Sequence, residues 1–338
     1  MPVISSGKVL VSGANGFIAA WVVRLLLEAG FSVRGTVRSE AKCAHFRKEF
    51  ASYGNRLEFV IVPDITKEGA FDEAVKGVDA IEHTASPFHL NAVAEPDEFI
   101  VPAIQGTVGI LESARKHGTS IKRIVITGSC AAVLQIEPEP KTFSELNWNE
   151  QAPKAVELGH DMSTLTIYRA SKTLAERAAW EFFNEHKGEV GWDLVVINPP
   201  YVFGPTIHDT PTPDALNTSA REFYTILTEP SSPATLRLGS CWVDVRDVGH
   251  AHVLALLKAS AGGERIIVSA GPYVWQDWLD AAPDSPKFQK GVPGSSKGIV
   301  YQLQYDARKS VRVLGMTYRT MQETARDTVA DWEARGWQ

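Results

Sequence analysis

The stretch VLVSGANGFIA, residues 9–19, constrains the chain more than any other segment. A short β-rich run ends at Gly13, a second glycine follows at Gly16, and an apolar helical pattern starts at once. Gly13 permits a tight turn, and Gly16 lets backbone approach a pyrophosphate. The third position of the pattern holds Ala19 instead of glycine. That position sets how closely helix and strand pack, and one methyl group is tolerable there. The free N–H groups and the dipole at the start of such a helix suit a phosphate. Ile18, Val22, Leu25, Leu26 and Ala29 then fall on one helical face, and Gly30 ends the pattern.

The same alternation continues. Strands are expected at Lys8–Ser12, Phe31–Val37, Leu57–Val62, Asp79–His83, Ile121–Gly128 and Asp193–Asn198, with a helix over Asp97–His117. Strands separated by helices make βαβ units, whose right-handed crossovers build a parallel sheet covered on both faces. The predicted fold is α/β, a Rossmann-type doubly wound parallel sheet with a smaller C-terminal substrate-binding lobe. Proline and threonine cluster in GPTIHDTPTP, from residue 204. Residues 1–200 are therefore taken as the nucleotide domain, with 240–260 returning to it. The smaller lobe takes 201–239 and 261–338. Loops 135–165 and 205–235 are expected to shape its pocket.

A net charge of −6 argues against a nucleic-acid or anionic-membrane surface. Cys43, Cys130 and Cys241 are too few and too scattered for a disulfide framework or a zinc site, and fit a reducing compartment. The nine histidines show no ligand pairing, so no metal is expected. MPVISSGKV lacks a signal-peptide pattern, and FIAAWVVRLLLEAG is too short and charged to span a bilayer. A cytoplasmic monomer or homodimer acting on a small molecule is the expectation.

The cofactor type is read at the end of the second strand. An NAD site places an acid there for the ribose 2′-hydroxyl. This chain has Thr36-Val37-Arg38-Ser39. Arg38 can fork onto a 2′-phosphate and Lys42 can add a point charge, which favours NADPH over NADH. The bland alternative is a solvated surface arginine. Asp64, followed by Ile65, serves either an adenine amino group or a helix N-cap. Ala85 and Ser86, small residues after the fourth strand, are expected to line the middle of the cofactor.

Tyr168 and Lys172, in YRASK, stand at i and i+4 on a helical pattern and so share one face. A phenol is a weak acid, with an ordinary pKa of about 10. A nearby ammonium is expected to pull that value down and ready the pair to protonate a carbonyl oxygen. Ser129 ends the fifth strand, where its hydroxyl can orient that oxygen. Cys130 is read as a packed thiol.

Together these residues resemble the extended short-chain dehydrogenase/reductase family, and within it the NADPH-dependent carbonyl reductases. That group includes dihydroflavonol reductases and fungal methylglyoxal and aldehyde reductases. The matching pieces are GANGFIA, RGTVRS, HTASPF, VITGS, YRASK, NPPYVFGP, LNTS and WVDVRDV. The resemblance implies a Ser129–Tyr168–Lys172 triad and reduction of a ketone or aldehyde to an alcohol. It implies phosphate contacts from Gly13, Asn15, Gly16, Phe17 and Ile18, and a further contact at Pro199. It also implies backbone at Val202 holding a carboxamide and Ser219 touching phosphate. Relatives often carry serine or threonine where Gly128 stands, and threonine where Ser12 stands. Phe88, Tyr201, Phe203 and Trp242 are candidate pocket walls, each equally able to be core.

Three alternatives stay open. A nucleotide-sugar epimerase or dehydratase uses the same scaffold, but a dehydratase would carry Asp-Glu where Ser129-Cys130 stands. A hydroxysteroid dehydrogenase is a second. A noncatalytic NADPH-binding regulator is the third, and such proteins commonly lose the tyrosine or lysine that this chain keeps.

Overall fold

The structure is a computed structural model that describes residues 4–86 and 95–337. Five parallel strands open it: β1 (Lys8–Ser12), β2 (Ser32–Val37), β3 (Leu57–Ile61), β4 (Ala80–His83) and β5 (Arg123–Thr127). Next come β6 (Lys141–Phe143), β7 (Asp193–Asn198), β8 (Tyr201–Phe203) and β9 (Gly239–Asp244). The last three are β10 (Arg265–Ile267), β11 (Gly271–Val274) and β12 (Leu303–Tyr305). The main sheet has seven parallel strands in the order β10-β7-β5-β4-β1-β2-β3. The fold is Rossmann-like, with β1 near the middle and helices on both faces.

Burial on both faces explains why the central strands read as near-continuous apolar runs such as VLV and IVI. One face carries α1 (Phe17–Glu28), with Trp21, Val22 and Leu26 packed in its core. The other carries α3 (Pro96–His117) and α5 (Thr164–His186), packed against each other. Between them in sequence lie α2 (Cys43–Glu49) and α4 (Gln151–Glu157).

The remaining helices are α6 (Thr218–Thr228), α7 (Pro233–Leu236), α8 (Val245–Leu257), α9 (Trp275–Ala281), α10 (Arg308–Leu314) and α11 (Met321–Ala334). The small lobe is built on a three-stranded sheet, β11-β9-β8, and an aromatic core of Phe203, Phe223, Trp242, Tyr273, Trp278 and Trp332. The return expected over 240–260 begins only at α8, which packs against α1; β9 before it belongs to the small sheet. One boundary differs from the sequence reading. β10, placed in the small lobe by its position after 261, pairs in parallel with β7 as the edge of the large sheet. Three residues are too few to carry a readable alternation.

Buried polar pairs tie the large sheet to its surroundings. Arg123 grips Asp193 with Nε–Oδ1 2.6 Å and Nη2–Oδ2 2.8 Å, and donates to the carbonyl of Lys258 at 2.7 Å. Glu82 of β4 meets His252 of α8 at 2.6 Å. Charges this deeply buried persist only when paired.

Candidate active site

The carboxyl ends of β1, β4, β5 and β7 converge on one crevice edge, where ligands of such sheets bind. β1 delivers the glycine turn. Gly13 has φ +61°, and a Cβ there would stand 3.0 Å from the Cα and Cβ of Ala85. Its glycine identity is therefore forced by both conformation and contact. The N–H of Gly13 donates to Thr36 Oγ1 at 3.1 Å and that of Ala14 to the Thr36 carbonyl at 2.9 Å, which lash the turn to β2. Asn15 follows in the turn. Gly16 caps α1 without a side-chain bond, and no acid stands in the first turn, so the N–H groups at Phe17 and Ile18 meet no competing anion. Ala19, the odd third position, is buried and accommodated.

Arg38 and Lys42 are exposed beyond the tip of β2. Glu40, the neighbouring acid, is bridged by Arg47, and Arg38 has no ion pair among the described residues. A guanidinium without a partner at this edge fits a 2′-phosphate. Asp64 closes a turn by accepting from Thr66 N at 2.9 Å and Thr66 Oγ1 at 2.7 Å, and these bonds hold its carboxyl below the ordinary range. Beside it opens a hollow lined by Val62, Pro63, Asp64, Lys67 and Ala70. Ile65 packs toward Gly106 of α3. The donors and hollows present thus fit a dinucleotide with a phosphorylated adenosine ribose.

Two residues expected at the cofactor have hydrogen-bond partners within the protein. The Ser219 hydroxyl donates to the Val202 carbonyl at 2.7 Å and accepts from Asn217 Nδ2 at 3.0 Å. Pairing within the small lobe satisfies both groups. Pro199 is buried, its carbonyl accepting from the Cys130 N–H at 2.9 Å.

At the centre, α5 places Tyr168 and Lys172 one turn apart, with Nζ 5.9 Å from the phenol ring centre. Ser163 caps the helix by accepting from Thr166 N. Ser129 caps the single turn Cys130–Ala132, accepting from Ala131 N at 3.1 Å, and hydrogen-bonds the Tyr168 side chain. The three residues come together. Lys172 Nζ donates to Ser86 Oγ at 2.8 Å, and burial pushes its pKa down to about 8. The Tyr168 phenol moves the other way from the sequence expectation. Burial raises it most, and the Ser129 hydrogen bond offsets this in part. Desolvation of the phenolate outweighs the ammonium one turn away. The phenol therefore holds its proton at neutral pH, which is the state an acid needs.

Cys130 is buried, its thiol 3.2 Å from the Asn198 carbonyl and pushed well up by burial, so it is a packed thiol and not a nucleophile. Of the pocket candidates, Phe203 and Trp242 are only 0% and 4% exposed and belong to the aromatic core of the small lobe. Large rings with that many aromatic neighbours are enclosed rather than walls of an open cleft. Tyr201 is half-buried and stacks on Phe203 at 6.2 Å. Its phenol is raised by burial and then by Glu222, and it also feels Arg169 and Tyr168, which puts it on the catalytic side. Phe88 lies outside the described residues.

Sequence reasoning missed the polar scaffold behind the triad. Glu176, four residues past Lys172, is buried and bound by Arg265 at 2.5 Å and Asn198 at 3.3 Å. Arg265 also lies 3.6 Å over the Trp148 ring. The only sequence signal was Glu176's place on the Tyr168–Lys172 face. Among the described residues, no cluster of His, Cys, Asp and Glu could hold a metal, and no helix is long and apolar enough to cross a membrane.

Known proteins resemble this chain over nearly its whole length. The NADPH-dependent methylglyoxal reductase of Saccharomyces cerevisiae is 35% identical, covering 96% of this chain and 97% of its own. A ketoreductase of Aspergillus niger is also 35% identical, over 95% of this chain and 96% of its own. The crystal structure of yeast methylglyoxal/isovaleraldehyde reductase complexed with NADPH superposes with a TM-score of 0.87 at 34% identity. It covers 98% of this chain and 100% of that one. With residues 9–271 matching its family profile, the chain belongs to the NAD dependent epimerase/dehydratase family.

Proposed function

We propose that the protein is an NADPH-dependent reductase that converts a ketone or aldehyde to an alcohol in the cytoplasm. The observation that carries this reading is the Ser129–Tyr168 hydrogen bond with Lys172 one helical turn away, beside the glycine turn. When bound, reduced nicotinamide supplies the hydride that the carbonyl carbon accepts. Gly13, Asn15, Gly16, Phe17 and Ile18 hold the pyrophosphate through backbone and helix dipole. Arg38 and Lys42 take the 2′-phosphate, and Asp64 and Ile65 flank the adenine. Ala85 gives close approach at the middle of the site.

Ser129 holds the carbonyl oxygen by hydrogen bonding. Tyr168 gives that oxygen its proton, and the Lys172 ammonium stabilises the phenolate left behind. The family also contains dehydratases, which need an acid beside the active-site hydroxyl. The buried Cys130 thiol occupies that place and favours the reductase reading. Relatives whose names specify methylglyoxal, ketone and aldehyde reduction point the same way.

Tyr168→Phe provides the test. The variant is expected to bind NADPH within about twofold of the parent and to lose at least about a hundredfold in kcat with an aldehyde panel. Full activity in that variant would sink the acid assignment.

A further inference from the structure

We propose that Ser86 is a positioning residue for Lys172, itself set in place by Ser12, so that the phosphate turn and the active-site ammonium form one hydrogen-bonded unit. The inference rests on the reductase reading above and adds to it a residue that acts through Lys172.

Ser12 is the last residue of β1 and is fully buried. Its Oγ accepts from the N–H groups of Thr84 at 3.1 Å and Ala85 at 3.0 Å. It also lies 2.9 Å from His83 Nδ1. With two N–H donors already pointing at the oxygen, the hydroxyl proton goes to Nδ1, and the ring proton sits on Nε2. Thr84 Oγ1 donates back to the Ser12 carbonyl. Gly13, next in sequence, packs directly on Ala85. The segment His83–Ala85 is thereby clamped to the glycine turn on both sides, and Ser86 is its next residue. Its Oγ receives the Lys172 ammonium at 2.8 Å.

The ammonium sits in a small cavity lined by His83, Ala85, Ser86, Ala103, Thr107, Ile126, Thr127, Gly128, Ala175 and Glu176. The charged or titratable groups facing it are few. His83, from the end of β4, is held down to about 3 by burial and is neutral. Tyr168 and Glu176 come from its own helix, and Glu176 is committed to Arg265 and Asn198. Among the described residues, α3 contributes Ala103 and Thr107, β5 contributes Ile126 and Thr127, and Gly128 follows β5. The Ser86 hydroxyl is thus the hydrogen-bond acceptor that the described residues give the ammonium. A buried cation depends on each such bond to stay charged. Loss of Ser86 Oγ leaves burial less opposed, so the ammonium deprotonates at lower pH.

The experiment is kcat/KM with an aldehyde against pH, from about pH 6 to about pH 10, for the full-length parent, Ser86→Ala, Ser86→Cys, Ser86→Thr and Ser12→Ala. The parent's alkaline limb is expected near pH 8, where Lys172 loses its proton. In Ser86→Ala the limb moves down by about one pH unit and kcat near neutrality falls about tenfold, with the aldehyde KM within about twofold. Ser86→Cys, which keeps the size but weakens the acceptor, moves it part of the way. Ser86→Thr, which keeps the hydroxyl, restores the limb. Ser12→Ala shifts the limb in the same direction. An unmoved limb in Ser86→Ala overturns the Ser86 assignment, whatever happens to kcat. A moved limb in Ser86→Ala with none in Ser12→Ala overturns the link to the glycine turn. An active Tyr168→Phe would instead sink the underlying reductase reading, so the two failures are distinguishable.

Discussion

At the scale of single residues, the site divides into groups visible as motifs and groups visible only in space. Arg38 was singled out by its place at the tip of the second strand, and it is exposed there. Its lack of an ion pair among the described residues, with Glu40 engaged by Arg47, leaves it available for a dianion. Arg38→Ala is expected to weaken NADPH about tenfold and leave NADH unchanged, so the ratio of the two kcat/KM values measures its role. An equal loss with both cofactors would mean that the residue acts on the fold. Tyr168 and Lys172 were legible for a similar reason, since i and i+4 fix one helical face whatever surrounds it. The direction of the phenol shift was not, because it depends on burial contributed by the whole site. Ser12 and Ser86 were read as turn and lining residues, and their hydrogen bonds were not legible. Their partners His83 and Lys172 are 71 and 86 positions away in sequence.

At the scale of elements, six of the seven strands of the central sheet were readable to within about two residues of their ends, as the precision of such boundaries allows. β7 was expected at Asp193–Asn198 and stands there. Strands buried on both faces advertise themselves by unbroken Val and Ile. β6, β8, β10 and β12 have three residues each and carry no such signature. A departure noted in sequence also gains a cause at this scale. A Cβ on Gly128 would stand 2.1 Å from Asn198 Oδ1 and 2.9 Å from Val196 Cγ1, so the end of β5 and the body of β7 touch through a missing side chain. Gly128→Ser in this chain should therefore cost about 1–3 kcal/mol of stability by overpacking. Urea unfolding checks this, and an unchanged midpoint would show that Asn198 swings aside freely.

At the scale of the whole molecule, the two lobes hold together by different means. The large sheet relies on aliphatic layers, whereas the small lobe concentrates its aromatic rings around Trp278. That ring lies 5.0 Å from Phe203, 4.8 Å from Phe223 and 4.8 Å from Trp242. Trp278→Ala should cost about 3–5 kcal/mol, read by denaturant unfolding, and a loss under 1 kcal/mol would mean that the cluster collapses without penalty. The expected boundary near residue 200 caught the change in composition but not the return of β10, which sits on the edge of the large sheet beside β7. Arg123 adds to this by reaching across to the carbonyl of Lys258. A nascent chain leaving the ribosome thus cannot finish its first domain when that domain's own sequence has emerged. Until residue 267 is free, β7 offers an open row of N–H and C=O groups to any stray strand, a hazard that ends only when the late edge strand arrives.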